Sequence, residues 1–317
     1  MKTGLFAWEG YGNFWDDLLG TAARQLFSGL DLEPYYEKRK WFTRSFALTT
    51  RNFQQNKVPV LSPGVLIFAG GGMIATDQNT ETIERWIRHL SHNKFTVFAF
   101  GIGVGPIRSG TERLAHNLLS KFESPIYVRS QEDLSQLEKI DLEGSLACDP
   151  VLLMDLSKLG LVERNETNSI HHFAPWDVHW PILDKNSYLK LIKNWECNFP
   201  ESKPLRYEYS SNFRWNVYEQ GIVQNAVSEH ISEIRSAKNV ASSRLHTSIV
   251  AGMLGVPQFC IPYGRKFKLL NELGLKLSSP DHAIMNEVFD PYQMEKVISR
   301  GRRMLDSLRA SIERLTY

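Results

Sequence analysis

The chain has 317 residues, with 37 Lys plus Arg against 35 Asp plus Glu and a formal net charge of +2. Near-neutrality excludes the strongly basic domain of a general nucleic-acid binder, and 42% hydrophobic with 23% charged residues excludes a disordered chain. The scattered cysteines Cys148, Cys197 and Cys260 fit neither a disulfide framework nor a CxxC zinc site, and they point to a reducing compartment.

At about 150 residues per domain the length predicts two domains. The longest apolar runs, Val65–Ala75 and Phe95–Ile107, are broken by glycines. Both fall short of the ~18 residues that span a bilayer. The first ten residues lack the apolar stretch and cleavage site of a signal peptide, so a cytoplasmic protein is expected.

In chain order, Thr3–Trp8 reads as a buried strand and Asp16–Phe27 as a helix, with Asp16 and Asp17 favourable in its first turn. Val65–Ala69 is a strand running into Gly70, Gly71 and Gly72; Thr82–Ser91 is helical. Phe95–Phe100 is a strand expected to end in the glycine turn of GIGVGP, whose backbone amides could approach an anion. Ser109 and Glu112 have capping-box spacing before a helix to about Lys121. Pro125–Val128 is a strand ending at Arg129, Ser130 and Asp133 fit another cap, and a helix runs to about Lys139. Leu146–Cys148 is a short strand before Asp149 and Pro150.

Strands alternating with helices imply a parallel sheet, which binds ligands beyond the C-terminal ends of its strands. The glycine turns, Arg129, Asp149 and the Trp8–Asp17 segment are therefore expected on one crevice. GIGVGP is not a dinucleotide loop, because Pro106 stands where the third glycine belongs.

Residues 158–220 show no regular pattern. Periodicity returns with a helix over Ile222–Arg235, a strand over Ala237–Ala241, a helix over Arg244–Leu254 closed by Gly255, and a strand over Val256–Ile261. Tyr263–Lys266 follows, then a helix through Leu273 and a terminal helix over Tyr292–Leu315, with Met304, Leu308, Ile312 and Leu315 on one stripe. Expected boundaries are residues 1–157, 158–290 and a C-terminal helix, 291–317, packing back on the first domain.

Ser243 is placed to cap the helix that follows, which would set Arg244 and His246 in its first turn. A helix N-terminus binds anions through its free amides and dipole. Tyr263, Gly264, Arg265 and Lys266 follow the next strand, so Lys266 and His246 are expected on one edge of one sheet.

GNFWDD at 12–17, FAGGG at 68–72, GIGVGPI at 101–107, VRS at 128–130, CDP at 148–150, SRLHTSIVAGMLGVP at 243–257 and IPYGRK at 261–266 together resemble the polysaccharide pyruvyl transferase family. The sequence departs from that pattern at Trp15 and Ser130, and residues 158–220 do not align. The resemblance implies an α/β, GT-B-like fold of two Rossmann-like domains facing a central cleft, with the acceptor side in the first and the donor site mainly in the second. It implies transfer of the pyruvyl group of phosphoenolpyruvate to a sugar of a surface or exopolysaccharide, or its lipid-linked precursor, leaving a ketal and releasing phosphate. No cofactor or metal is implied; phosphoenolpyruvate is a co-substrate.

Arg129, His246 and Lys266 carry over as the donor-site residues, with Arg244 beside them. Ser243, Tyr263, Asn13, Asp16, Asp17, Gly71, Gly72, Gly103 and Gly105 are further candidate substrate contacts. His246 is the candidate general acid, since an imidazole exchanges protons near neutrality. Trp176, Asp177, His179 and Trp180 could hold an acceptor sugar by stacking and hydrogen bonds. A metal reading of His171, His172, Asp177 and His179 lacks the HExxH pattern.

Two other readings stay open, a GT-B nucleotide-sugar glycosyltransferase and a non-catalytic sugar-binding protein. The first usually grips a ribose with a Glu, and TSIVAGMLG after SRLH has no acid. Residues 35–57 hold Lys38, Arg39, Lys40, Arg44, Arg51 and Lys57 among Tyr35, Tyr36, Trp41 and Phe42. That stretch fits either a solvated face over buried aromatics or peripheral contact with anionic headgroups at the inner face of the membrane.

Overall fold

The computed structural model describes residues 3–6, 14–30, 32–34, 64–74, 80–93, 95–161, 168–174, 182–205, 220–262, 264–279 and 287–316. These fall into two α/β units. Among the described residues, unit 1 holds those up to Met154, Gln220, and those from Ser299 on; unit 2 holds Asp155 through residue 205 and Gly221–Ile298.

Unit 1 is built on β1 (Thr3–Phe6), β2 (Leu32–Pro34), β3 (Val65–Ala69), β4 (Gly72–Ile74), β5 (Thr96–Val104), β6 (Ile126–Val128) and β7 (Gly144–Leu146). They are ordered β2-β1-β3-β5-β6-β7, with β4 beside the end of β5, and every pairing is parallel. Its helices are α1 (Phe14–Leu26), α2 (Thr80–Asn93), α3 (Glu112–Leu119) and α4 (Gln131–Glu138).

Alternation along the strands feeds two cores. Leu66, Phe68, Val97 and Ala99 pack with Ile83, Trp86 and Leu90 of α2 and Leu118 and Leu119 of α3. Val65, Ile67, Phe98 and Phe100 face the other way, against Ala23 and Leu26 of α1 and against Leu305, Leu308 and Ile312. The last three belong to the terminal helix (Pro291–Thr316), which begins in unit 2 and ends in unit 1. Arg300 Nε there donates to Ala147 O at 2.9 Å, and Gly301 lies against the Cys148 side chain, where a Cβ would collide with Sγ. The expected apolar stripe needs one correction: Leu315 is 47% exposed and Leu305 is buried in its place. Leu305, Leu308 and Ile312 recur at three- and four-residue spacing and form the buried face of the helix.

The strand expected to stop at Phe100 runs on through Val104. Gly101 takes a left-handed φ of +62°, and the pairing with β6 shifts register between Phe100 and Ile102. This bulge flips the side-chain phase, so Ile102 and Val104 join the core of Val97 and Ala99. GIGV is therefore strand, not turn.

The caps also differ in part. Ser130 caps α4 as expected, accepting from Asp133 N at 3.2 Å. α3 begins at Glu112 with Thr111 as its cap, and the Glu112 carboxylate instead accepts from Gly110 N at 2.7 Å. β7 spans Gly144–Leu146, two residues earlier than expected, because Asp149 caps the single turn Pro150–Leu153 by accepting from Val151 N.

Unit 2 contains β8 (Asn168–His172), α5 (Lys185–Asn198), β9 (Lys203–Pro204), α6 (Gln220–Arg235), β10 (Ala237–Ser242), α7 (Leu245–Met253), β11 (Gln258–Cys260) and α8 (Lys268–Glu272). The parallel order is β11-β10-β8-β9. β8, α5 and β9 lie in the stretch that showed no pattern in the sequence. Asp184 caps α5, and Tyr188, Leu191 and Trp195 are its buried face. α7 is buried from Leu245 through Gly252, so it is enclosed nearly all round. Two Rossmann-like units with parallel sheets make this the GT-B-like class.

Candidate functional site

In a parallel sheet the crevice opens where the strand order reverses. In unit 2 that point lies between β8, which ends at His172, and β10, which ends at Ser242. The turn into α7 starts there. Its hydrogen bonds correct the expected cap. The N-cap residue is Arg244, not Ser243. Ser242 Oγ accepts from Arg244 N and donates to Arg244 O, both at 2.9 Å.

Ser243 points inward. Its Oγ accepts from Ala174 N at 2.7 Å and lies 3.0 Å from Tyr188 Oη, which itself donates to Ala174 O at 2.6 Å. With the tyrosine proton on Ala174, the serine proton goes to Tyr188. Ser243 thus ties β8's exit, α5 and β10 together.

The first intrahelical bond of α7 runs from Ser248 N to Arg244 O at 3.2 Å. Leu245, His246 and Thr247 thus form the leading turn, whose amides precede any intrahelical acceptor. His246 is 6% exposed, Arg244 is half-buried, and α7 carries no acid in its first turn. Lys266 and Arg265 are exposed on a short turn, Arg265–Phe267, that follows β11. β11 pairs with β10, so His246 and Lys266 follow neighbouring strands of one sheet.

Two histidines lie under the turn. His172 Nδ1 is 3.0 Å from Thr247 Oγ1, and its ring stands edge-on to His230 at 5.8 Å. Burial, then the charge of Arg244, then His171 push the His172 pKa down to about 3. Burial first, then His172, hold His230 well below its usual value. Both rings are therefore neutral at pH 7. The neighbouring His171 bonds Ser202 Oγ at 3.0 Å and stacks on Phe173. Among the described residues no three His, Cys, Asp or Glu side chains are grouped to hold a metal.

Unit 1 has its own strand-end cluster. Arg129 is 6% exposed. Its Nη1 donates to Asp149 Oδ2 at 3.3 Å, and its Nε lies 3.8 Å from Asp133 Oδ2. A Cβ on Gly103 would stand 2.6 Å from Arg129 Nη2, so the guanidinium occupies space that only glycine leaves. Asp133 also accepts from Ser130 Oγ and, at 2.8 Å, from Val104 N. Burial dominates and raises the Asp133 pKa, against the lowering pull of Arg129 and these hydrogen bonds.

The glycine segments expected to offer amides use several of them internally. Gly70 N donates to Phe100 O, Gly103 N to Gly71 O, and Ile107 N to Gln136 Oε1. Gly72 pairs with Gly103 in the β4–β5 ladder, and Gly105 is half-buried beyond it. Asp17 is fully buried in α1.

The structure thus gathers His246, Arg244 and Ser243 at one turn, with Lys266 after the adjacent strand, while Arg129 belongs to unit 1. Asn13, Tyr263, Trp176, Asp177, His179, Trp180 and the 35–57 stretch lie outside the described residues, as does the side chain of Asp16. Sequence reasoning missed Ser242, Thr247 and the role of His172. The only signal for His172 was its place in an His-His pair. No helix among the described residues is long and apolar enough to cross a membrane.

A functionally uncharacterised protein from Klebsiella pneumoniae shares the fold with a TM-score of 0.56 at 17% identity, covering 84% of this chain and 85% of that one. UDP-GlcNAc 2-epimerases from Methanocaldococcus jannaschii and Neisseria meningitidis align with TM-scores of 0.48 and 0.46. The first is 10% identical, over 98% of this chain and 100% of that one; the second is 12% identical, over 99% and 94%. No curated protein matches the chain in sequence. The sequence profile of the polysaccharide pyruvyl transferases matches residues 16–265, and the chain belongs to that family.

Proposed function

We propose that the chain transfers the pyruvyl group of phosphoenolpyruvate to a sugar of a surface or exopolysaccharide, or of its lipid-linked precursor. The supporting observation is that His246 stands in the leading turn of α7, at the strand-order reversal of unit 2, with exposed Lys266 after the neighbouring strand. The donor carries a phosphate and a carboxylate and so needs cationic partners. Lys266 is assigned to one of those two groups, with Arg244 as a further cation at the α7 turn, and Arg129, in unit 1, is the remaining candidate cation.

His246 protonates the methylene carbon, leaving an oxocarbenium-like centre at the adjacent carbon. One sugar hydroxyl bonds to that centre. Phosphate then leaves with the bridging oxygen, and a second hydroxyl closes the ketal. Of the two hydroxyl protons, one replaces the proton given by His246 and the other leaves with phosphate. The chemistry calls for no redox cofactor.

Phosphorus NMR with phosphoenolpyruvate and candidate glycans tests the reading. Inorganic phosphate should appear only with a suitable glycan. His246→Ala should lower kcat by about 10²–10⁴-fold with little change in donor affinity. Lys266→Ala should mainly weaken donor binding. Turnover of a nucleotide sugar with phosphoenolpyruvate untouched would overturn it.

A further inference from the structure

His172 grips both ends of the turn that carries Arg244 and His246. Its backbone carbonyl accepts from Ser243 N at 3.1 Å, and its Nδ1 lies 3.0 Å from Thr247 Oγ1. Arg244, Leu245 and His246 are the three residues between those anchors. The ring is 7% exposed, and the buried Leu245 leaves the turn little freedom on its inner side. An apolar side chain could fill this space without the desolvation cost of an imidazole. What the imidazole adds is a directed bond to residue 247.

We propose that His172 is a positioning residue: through Ser243 N and Thr247 Oγ1 it sets the direction in which the leading turn of α7 presents Arg244 and His246. It acts through the helix and does not touch the substrate. Burial and the Arg244 charge keep the ring neutral, so the anchor adds no further cation beneath the turn. Misplacing a reacting group by about 1 Å costs on the order of 10²-fold in rate, so a single bond at the third residue of the helix is enough to matter.

The kinetic test rests on the transferase reading and uses phosphate release from phosphoenolpyruvate by the full chain, with a glycan that supports release by the wild type. Thr247→Val keeps the shape and removes the hydroxyl; Thr247→Ser keeps the hydroxyl. His172→Leu removes the ring nitrogen, whereas His172→Asn returns a polar atom near the place of Nδ1. Thr247→Val and His172→Leu should each lower kcat by about 10- to 100-fold while leaving KM for phosphoenolpyruvate within about threefold. The Ser and Asn variants should recover most of the loss. The double variant His172→Leu/Thr247→Val should be no worse than the poorer single one, because both remove the same bond. Wild-type kcat in Thr247→Val, or Ser and Asn variants as poor as Val and Leu, overturns the proposal.

A second readout needs no turnover. In protein labelled with ¹⁵N at histidine, Thr247→Val should move the His246 ring resonances together with those of His172. A His246 spectrum that stays fixed refutes the positioning role whatever the activity. A His246 shift in a protein that never releases phosphate supports the positioning role and refutes the transferase reading instead.

Discussion

Acidification from pH 7 to pH 5 should destabilise unit 2 through its enclosed imidazoles. Burial, Arg244 and His171 hold His172 at about 3, and burial with His172 holds His230 well below its ordinary value. Unfolded imidazoles titrate near 6.5. A folded pKa below the unfolded one means that the unfolded chain takes up the proton first. The stabilisation is complete above about 6.5 and is lost as the pH falls toward about 3. His172 then changes stability by up to about 1.4 kcal/mol per pH unit, or about 2 kcal/mol between pH 7 and pH 5. His230 shifts stability in the same direction, and the His172 share alone is a sizeable part of the 5–15 kcal/mol that ordinarily holds a domain folded.

Carboxylates contribute as well. Burial raises Asp133 and Glu233, which therefore take up protons first in the folded state and oppose the loss. Asp155 and Asp184, lowered by hydrogen bonds from Ser157 and Ser187, stay ionised at pH 5. The informative quantity is thus a difference between proteins. Urea unfolding at pH 7, 6 and 5 should show His172→Asn losing about 2 kcal/mol less than wild type across the interval. Equal losses, or a native His172 resonance titrating near 6.5, would refute the reasoning.

Arg129→Ala should cost about 3–5 kcal/mol, because it removes the guanidinium from beside the wholly buried Asp149 and the nearly buried Asp133. Lys266→Ala, at an exposed position, should change stability by less than about 0.5 kcal/mol; equal thermal midpoints for the two variants would show that the guanidinium is not held by those acids. Gly252→Ala lies inside α7, where alanine is ordinarily worth about 1 kcal/mol. Here the added Cβ would collide with the Phe289 ring, so the variant should lower the midpoint, and a rise would show that Phe289 yields.

Legibility in the sequence followed the regularity of the physics. α1 could be read because Leu18, Leu19, Ala22, Ala23 and Leu26 repeat at helical spacing and all are buried. β3 was legible to the residue because five apolar residues end at a glycine run. β5 was cut short because Gly101 looks like punctuation, yet its left-handed φ only shifts the strand's phase. β8 went unread because Asn168–His172 is short and polar, and its strand character comes from pairing with β10 rather than from composition. In Ser242-Ser243 both hydroxyls could cap, and only the tertiary partners Ala174 and Tyr188 decide that Ser243 turns inward. Arg129 and Asp133 were visible one by one. Their pairing across a helical turn, with Asp149 joining from 20 residues away, was not.

That pairing changes what a cation at a strand end means. Arg129 and Lys266 read alike in sequence, each a basic residue just past a strand, but their surroundings differ. Arg129 is nearly buried between two carboxylates, so its charge is largely compensated and its geometry fixed. A group so held is preorganised, and it offers direction more than net field. Lys266 is exposed on a short turn, with a long flexible stem, and offers charge more than direction. On the transferase reading, the loss of each cation then has a different signature. Loss of Lys266 should be offset in part by raising the donor concentration, because it removes attraction common to ground state and transition state. Loss of Arg129 should not be, because it also releases Asp133 from its partner, and Asp133 holds the Val104 amide at the end of β5. Donor titrations of the two alanine variants, carried to saturation, separate these cases. A full return of rate for Arg129→Ala would show that its carboxylate partners do not matter to the chemistry.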